Sequence, residues 1–314
     1  MEISFFYTSQ LKEVHWETYT KSFNLVFDKN FTVQNFKDKY YNNCNKKSYH
    51  GFLMDGDSIV GGCTAIPWRY NYFGKEMTFA LFVDAFVDKR YRKNEFALYD
   101  AYNLVKDKLK GDSIPFIVSV PNDKAYPFWK KLARWKDIGI LPWYVLPIRF
   151  GNVLKKSKFL NISYFFIFIY AIINFIISLF FRIKRKGCIS LMMDDSFKTD
   201  RFYDKTYTKI DNTPFFYRVV YEDGIRAVYL FNESIFSYLD LSKAILKTLM
   251  KEKADIIIYI GKMNSFQLSL IKLPTGKQPR NLLFCGGEVI KGVVDEDIYL
   301  YNNWDFGLLN FDVK

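Results

Sequence analysis

Apolar and polar positions change period several times along the chain, and each change marks an element. An apolar run at residues 3–7 predicts an opening strand, followed by helical spacing over 10–24 and again over 33–41. GFLMDGDSIVGGCTAI then predicts a hairpin turning at Asp55-Gly56-Asp57, and WRYNYFGKEMTFALFVDAFV a second turning at Phe73-Gly74-Lys75. A helix over 94–109, the buried-type strand PFIVSV, a helix opening after Pro121-Asn122-Asp123 and the strand ILPWYVLPI complete a β-α-α-β-β-β-α-β-α-β order.

The period then disappears. From Ile162 to Phe181 no residue is charged, while Lys155, Lys156 and Lys158 stand before this run and Arg182, Lys184, Arg185 and Lys186 after it. Twenty residues in a helix reach roughly 30 Å, the thickness of a bilayer's hydrocarbon. Beyond it, TPFFYRVVYEDGIRAVYLF predicts a hairpin about Glu222-Asp223-Gly224. A helix over 240–251, the strand ADIIIYIG and a short helix over 264–271 come next. LLFCGGEVI and WDFGLLNFDV predict closing strands. The order echoes the later part of the first half, so the expected organisation is a domain at 1–150, a connector at 151–190 and a second, related domain at 191–314.

Composition narrows the function classes. Four scattered cysteines (Cys44, Cys63, Cys188, Cys285) and two histidines (His15, His50) supply neither a disulfide framework nor a metal site, and a reducing compartment is expected. The opening MEISFFYTSQLKEVHW lacks the basic leader of a signal peptide. The net charge of +12 is dispersed except for the two clamps around the apolar run. Such clamps suit anionic lipid headgroups, and nucleic acid is not an expected partner.

Residues 80–148 resemble the GNAT superfamily of acyl-CoA-dependent N-acyltransferases. In that family a strand feeds an R-x-x-G-x-G/A turn whose backbone N–H groups, at a helix start, hold the coenzyme pyrophosphate. Here ALFVDAFV is the strand and Arg92-Lys93-Asn94-Glu95-Phe96-Ala97 the turn, with Glu95 where the first glycine belongs. The family's next motif, N-x-x-A-x-x-(L/F)-Y-x-x-x-G-F, is matched by Asn122, Ala125, Phe128, Trp129, Leu132, Ala133 and Trp135. Trp129 takes the place of the tyrosine that protonates the leaving thiolate, and an indole N–H is no general acid. The resemblance implies coenzyme contacts at Val87, Arg92, Lys93, Asn94, Glu95, Phe96, Ala97 and Asn122. Acetyl-CoA or another acyl-CoA would be the co-substrate, with no metal.

Among acids, Asp84 stands mid-strand just before that turn. Strict alternation gives Phe82, Asp84 and Phe86 one face, an apolar pocket that would raise the carboxyl pKa and suit a base. A structural acid bonded to backbone explains it equally. Tyr126 and Tyr144 are the replacement thiolate donors, with aromatic packing as the plainer role for each. His15 could line an acceptor cleft, and Cys63 reads as a small buried filler.

The whole chain is similar to tandem GNAT-like proteins of bacterial surface-polysaccharide biosynthesis, through its W-Y-x-x-P strand, its FFYRVVYEDG hairpin and its close, NNWDFGLLNFDVK. This implies an α/β (α+β) fold of tandem GNAT-like mixed sheets joined by an apolar helical segment. The implied activity is acetyl transfer to the amine of an amino sugar, small or lipid-linked, on a polysaccharide precursor. A catalytically degenerate, membrane-associated binding protein and a FemABX-type aminoacyl transferase are the alternatives. Both flanks of the apolar run are basic, and Ser163, Tyr170, Asn174 and Ser178 form a polar stripe along it. The run is therefore expected to lie in the membrane interface or pack between the halves, holding a cytoplasmic enzyme at the inner face of the cell membrane, rather than to span.

Overall fold

The computed structural model describes residues 1–41, 46–92, 96–181, 188–201, 206–263 and 266–311. In chain order the elements begin with β1 (Glu2–Tyr7), α1 (Glu13–Phe27), α2 (Val33–Tyr41), β2 (Tyr49–Asp55), β3 (Ser58–Tyr72) and β4 (Lys75–Val87). Next come α3 (Ala97–Gly111), β5 (Phe116–Ser119), α4 (Tyr126–Leu132), β6 (Lys136–Leu141), β7 (Trp143–Pro147), α5 (Phe150–Val153) and α6 (Ser163–Ser178). They continue with β8 (Ile189–Leu191), α7 (Asp195–Arg201), β9 (Thr208–Ile210), β10 (Phe215–Glu222), β11 (Ile225–Asn232) and α8 (Tyr238–Lys251). The last are β12 (Ile256–Ile260), β13 (Ile271–Lys272), β14 (Leu282–Glu288) and β15 (Trp304–Asp305).

Two compact units form, and neither is continuous in sequence. The first takes residues 1–139, 194–201 and 283–301, the second 140–193, 202–282 and 302–314. The division falls ten residues or so before the cut expected at 150, because ILPWYVLPI is two strands rather than one. Pro142, which has no N–H to donate, separates β6 from β7, and the two join different sheets.

The first unit's sheet runs β1-β2-β3-β4-β5-β14-β6. Its β1–β4 portion is antiparallel, and β4 and β5 are parallel with α3 crossing between them. LLFCGGEVI, expected among the closing strands of the second half, is β14 and lies antiparallel to β5, Cys285 opposite Ser119 and Glu288 opposite Phe116. Two glycines permit the close approach. A Cβ on Gly286 would stand 2.6 Å from the Ile117 carbonyl oxygen, and one on Gly287 2.6 Å from the Trp135 ring. Between α3 and the sheet lies a core of Leu53, Val60, Phe82, Tyr102, Val105, Ile117, Trp129 and Trp135.

The second unit's sheet runs β13-β7-β12-β11-β10-β9, with β11 and β12 parallel and α8 crossing between them. Buried Asp255 pins that crossover, accepting from Arg226 N at 2.8 Å and Asn152 Nδ2 at 2.7 Å. The helix expected over 264–271 is absent among the described residues, where β13 begins instead. WDFGLLNFDV yields two strand residues and then a 3-10 turn. α6 packs on α8, with Tyr164, Ile167 and Phe168 against the second core. Lys158–Ser178 is one helical stretch long and apolar enough to cross a membrane, yet little of it is buried.

Candidate active site

The first unit's central hairpin carries an irregularity that the sequence pattern hides. Thr64 pairs with Val83, but Gly62 pairs with Phe86, so Asp84 and Ala85 together fill the place opposite Cys63. This is a β-bulge, and Asp84 takes φ +53° in the left-handed region to make it. One extra residue reverses every side chain beyond it. Ala80 and Phe82 face the α3 core, and after the bulge Ala85 and Val87 do so. Phe86 turns to the other face, with its ring 5.4 Å from Tyr19 and 5.5 Å from Phe23 of α1. The expectation that Phe82, Asp84 and Phe86 share one apolar face is therefore corrected.

Asp84 meets polar partners from α2. Its Oδ2 accepts from Lys39 Nζ at 2.5 Å and from Tyr40 OH at 2.5 Å. Having donated its one proton there, Tyr40 OH accepts from Tyr19 OH at 2.5 Å. The Lys39 and Asp84 side chains are only 8% and 10% exposed, so this ion pair is shielded from water. Burial, then the Asp84 charge, pushes the Tyr40 phenol well above its ordinary pKa, which keeps the donated proton in place. His50 packs 4.9 Å from the Tyr40 ring, held by Thr8 Oγ1 at 3.0 Å and Thr64 Oγ1 at 2.9 Å. Burial lowers its pKa to about 3, so the imidazole is neutral. His15 is likewise buried, with its Nδ1 accepting from Lys12 N at 3.3 Å, and Cys63 is buried filler whose thiol pKa burial pushes up.

Beside the bulge the sheet opens. The parallel register of β4 with β5 covers Ala80–Ile117 and Leu81–Val118, and Ser119 Oγ donates to Phe82 O at 2.9 Å. Beyond this point β4 continues to Val87 along β3, while β5 ends at Ser119. A wedge lined by β4 backbone is the result. Past Val87 the chain turns on buried Asp88, which accepts from Arg90 N at 2.9 Å and the Arg90 guanidinium at 2.7 Å. These bonds hold the Asp88 carboxyl below its ordinary pKa. Arg92 Nε donates to Val87 O at 2.9 Å. Lys93, Asn94 and Glu95 lie outside the described residues, and exposed Phe96 leads to buried Ala97 at the start of α3.

The remaining candidates fall elsewhere. Asn122 Oδ1 accepts from Ala125 N at 2.8 Å and Lys124 N at 3.1 Å, the turn that opens α4. Tyr126 OH donates to Asp137, which also pairs with Lys130. Burial and the Asp137 bond raise the Tyr126 pKa, so this phenol holds its proton. Trp129 is buried, stacked on Trp135 at 5.1 Å and edge-on to Phe82 at 4.9 Å. Tyr144 belongs to the second unit, on β7 opposite Tyr259. Within the first unit Asp84 and Tyr126 thus have different partners, Lys39 and Tyr40 for the one and Asp137 and Lys130 for the other. Lys39 and Tyr40 were missed, since only the run of charge and aromatic at the end of amphipathic α2 hinted at a buried partner. No group of three His, Cys, Asp or Glu placed to hold a metal occurs among the described residues.

Solved structures share this architecture across nearly the whole chain. A conserved protein from Enterococcus faecalis V583, described as a probable N-acyltransferase, superposes with a TM-score of 0.56 at 9% identity, covering 92% of this chain and 73% of that one. A GCN5-related N-acetyltransferase from Kribbella flavida gives 0.55 at 11% identity over 92% and 72%. One from Anabaena variabilis gives 0.54 at 10% identity over 91% and 73%. The fold is that of the GNAT N-acetyltransferases. At these identities the likeness is one of fold alone. No protein-family model matches the chain, and no curated protein matches it in sequence. The bulge and wedge therefore belong to a GNAT-like unit.

Proposed function

We propose that the chain is an acyl-CoA-dependent N-acyltransferase whose chemistry takes place at the β4 bulge of the first unit. The observation that carries this reading is the bulge beside the parted β4 and β5 in a GNAT-like fold. Backbone N–H groups of β4 beyond Leu81 would polarise the thioester carbonyl there. An acceptor amine would attack that carbon, forming the C–N bond, and the C–S bond would break to release the coenzyme thiolate. Asp84 would take the proton lost by the attacking ammonium, with Lys39 and Tyr40 fixing its orientation. The thiolate would take its proton from solvent, because Tyr126 OH is committed to Asp137. The second unit supports coenzyme binding in the first alone, since its β10–β11 register runs unbroken from Phe215–Asn232 to Glu222–Ile225.

For the acceptor we propose an amino-sugar amine of a surface-polysaccharide precursor, a reading supported by the resemblance of the second half and the close NNWDFGLLNFDVK. A binding protein without turnover is favoured by one observation, the buried Trp129 at the position of the acid. Calorimetric titration of the full chain with acetyl-CoA tests coenzyme binding. Saturable heat that Arg92→Ala diminishes is expected, and no heat at high coenzyme concentration overturns the proposal. Thiol release with a panel of amino sugars then separates turnover from binding.

A further inference from the structure

α6 is an amphipathic helix turned inside out. Its polar stripe faces the protein: Ser163, Asn174 and Ser178 are buried together with Ala171. Ser163 Oγ donates to Ile148 O at 2.7 Å, Tyr164 OH to Leu249 O at 3.2 Å, and Tyr170 OH to Leu268 O. Asn174 Oδ1 accepts from Tyr238 OH of α8 at 2.5 Å. The opposite face carries Phe165, Phe166, Ile169, Ile172, Ile173 and Ile176, at the i, i+1, i+4, i+7, i+8 and i+11 positions of one continuous stripe. All six are exposed, Phe165 by 60% and Phe166 by 62%. A stripe of this kind is what a docking face looks like, not a solvated surface.

Charge decides the occupant. No Asp or Glu stands between Asp137 and Asp194, a stretch that includes both basic clamps. At the approach to α6, exposed Lys155, Lys156 and Lys158 alternate with exposed Leu154 and Phe159. Apolar side chains flanked by cationic ones, of which Lys155, Lys156 and Lys158 are exposed, suit the boundary between acyl chains and anionic headgroups. A second copy of the chain pressed on the same face would bring basic shoulder to basic shoulder, with no Asp or Glu in the 138–193 stretch of either copy to neutralise them. A span is disfavoured by the inward hydrogen bonds, which tie α6 along its length to the second unit.

We infer that α6 docks the protein on an anionic membrane, lying in the plane of one leaflet with the Phe165–Ile176 face among the acyl chains and its polar stripe still bonded within the second unit. This goes beyond the acyl-transfer reading and does not depend on it. The test uses the full chain with phosphatidylcholine vesicles prepared with and without phosphatidylglycerol. Flotation with the anionic vesicles is expected, weakened by salt, and lowered about tenfold or more by Phe166→Ser with Ile173→Ser. Those outward substitutions leave the melting temperature of the protein unchanged or higher, so lost flotation is not lost folding. Independently, Ile173→Trp should show a blue-shifted emission quenched by brominated acyl chains. The inference is overturned by absence of flotation, by flotation that the double variant leaves intact, or by an unquenched Trp at 173. It also fails if lipid-free protein is a dimer that the double variant dissociates, or if a C-terminal tag becomes protected on the far side of the vesicle.

Discussion

Removing the lysine that faces Asp84 gives the sharpest check on the site. Lys39→Met keeps the aliphatic stem and deletes the charge, leaving a carboxylate 10% exposed beside Tyr40 as its remaining described donor. An exposed ion pair would yield less than about 1 kcal/mol, but a pair this shielded falls in the range of about 3–5 kcal/mol when one partner is lost. For a unit of this size that is a fall of about 6–20 °C in melting temperature. Trp16, Trp68, Trp129 and Trp135 lie in the first unit, so tryptophan fluorescence during melting reports mainly on it. Adding Asp84→Asn to Lys39→Met removes the stranded charge, and the double variant should recover about 2 kcal/mol or more of the loss. A Lys39→Met cost below about 1 kcal/mol, or strictly additive effects, would refute the shielded pair and with it the orientation assigned to Asp84.

Three further outcomes are expected. His50 has its folded pKa at about 3, below the ordinary 6.5, so the unfolded chain binds the extra proton and stability falls as pH drops through that window. Between pH 7 and 5 this amounts to about 2 kcal/mol in urea melts, and His50→Gln should flatten that dependence. Gly62→Ala should cost more than about 3 kcal/mol, because φ is +149° and the new Cβ would stand 2.4 Å from the Gly51 carbonyl oxygen; a well-folded variant would show that the bulge can relax. Asn174→Leu makes α6 more apolar yet should destabilise the second unit by about 1–3 kcal/mol, read by denaturant melting, since Tyr238 loses its acceptor.

Much of the fold was legible because its signals are local. The turns at Asp55-Gly56-Asp57, Phe73-Gly74 and Asp223-Gly224 join β2–β3, β3–β4 and β10–β11 as expected, and α2 spans 33–41 as read from its period. What the pattern could not show depends on distant partners. Alternation along FVDAFV assumes a regular strand, and the bulge arises from pairing with Gly62 and Thr64, with an aspartate rather than a glycine supplying the left-handed residue. The polar stripe of α6 was visible, but which way it faces was set by Tyr238, distant in sequence. LLFCGGEVI announced a strand and gave no hint of its sheet, because Cys285 pairs with a residue 166 positions earlier. Lys39 and Tyr40 reach Asp84 across a similar kind of gap, which is why the site was read with its carboxylate and without its cation.

The position of β14 has a consequence for synthesis. A nascent chain that has delivered residues 1–150 to the outside of the ribosome has β5 and β6 but not the strand that belongs between them. Until residue 288 emerges, both carry unpaired backbone edges open to wrong partners. The first unit is therefore begun first and closed almost last, and a gene truncated at the apparent midpoint would encode an open sheet rather than half a protein.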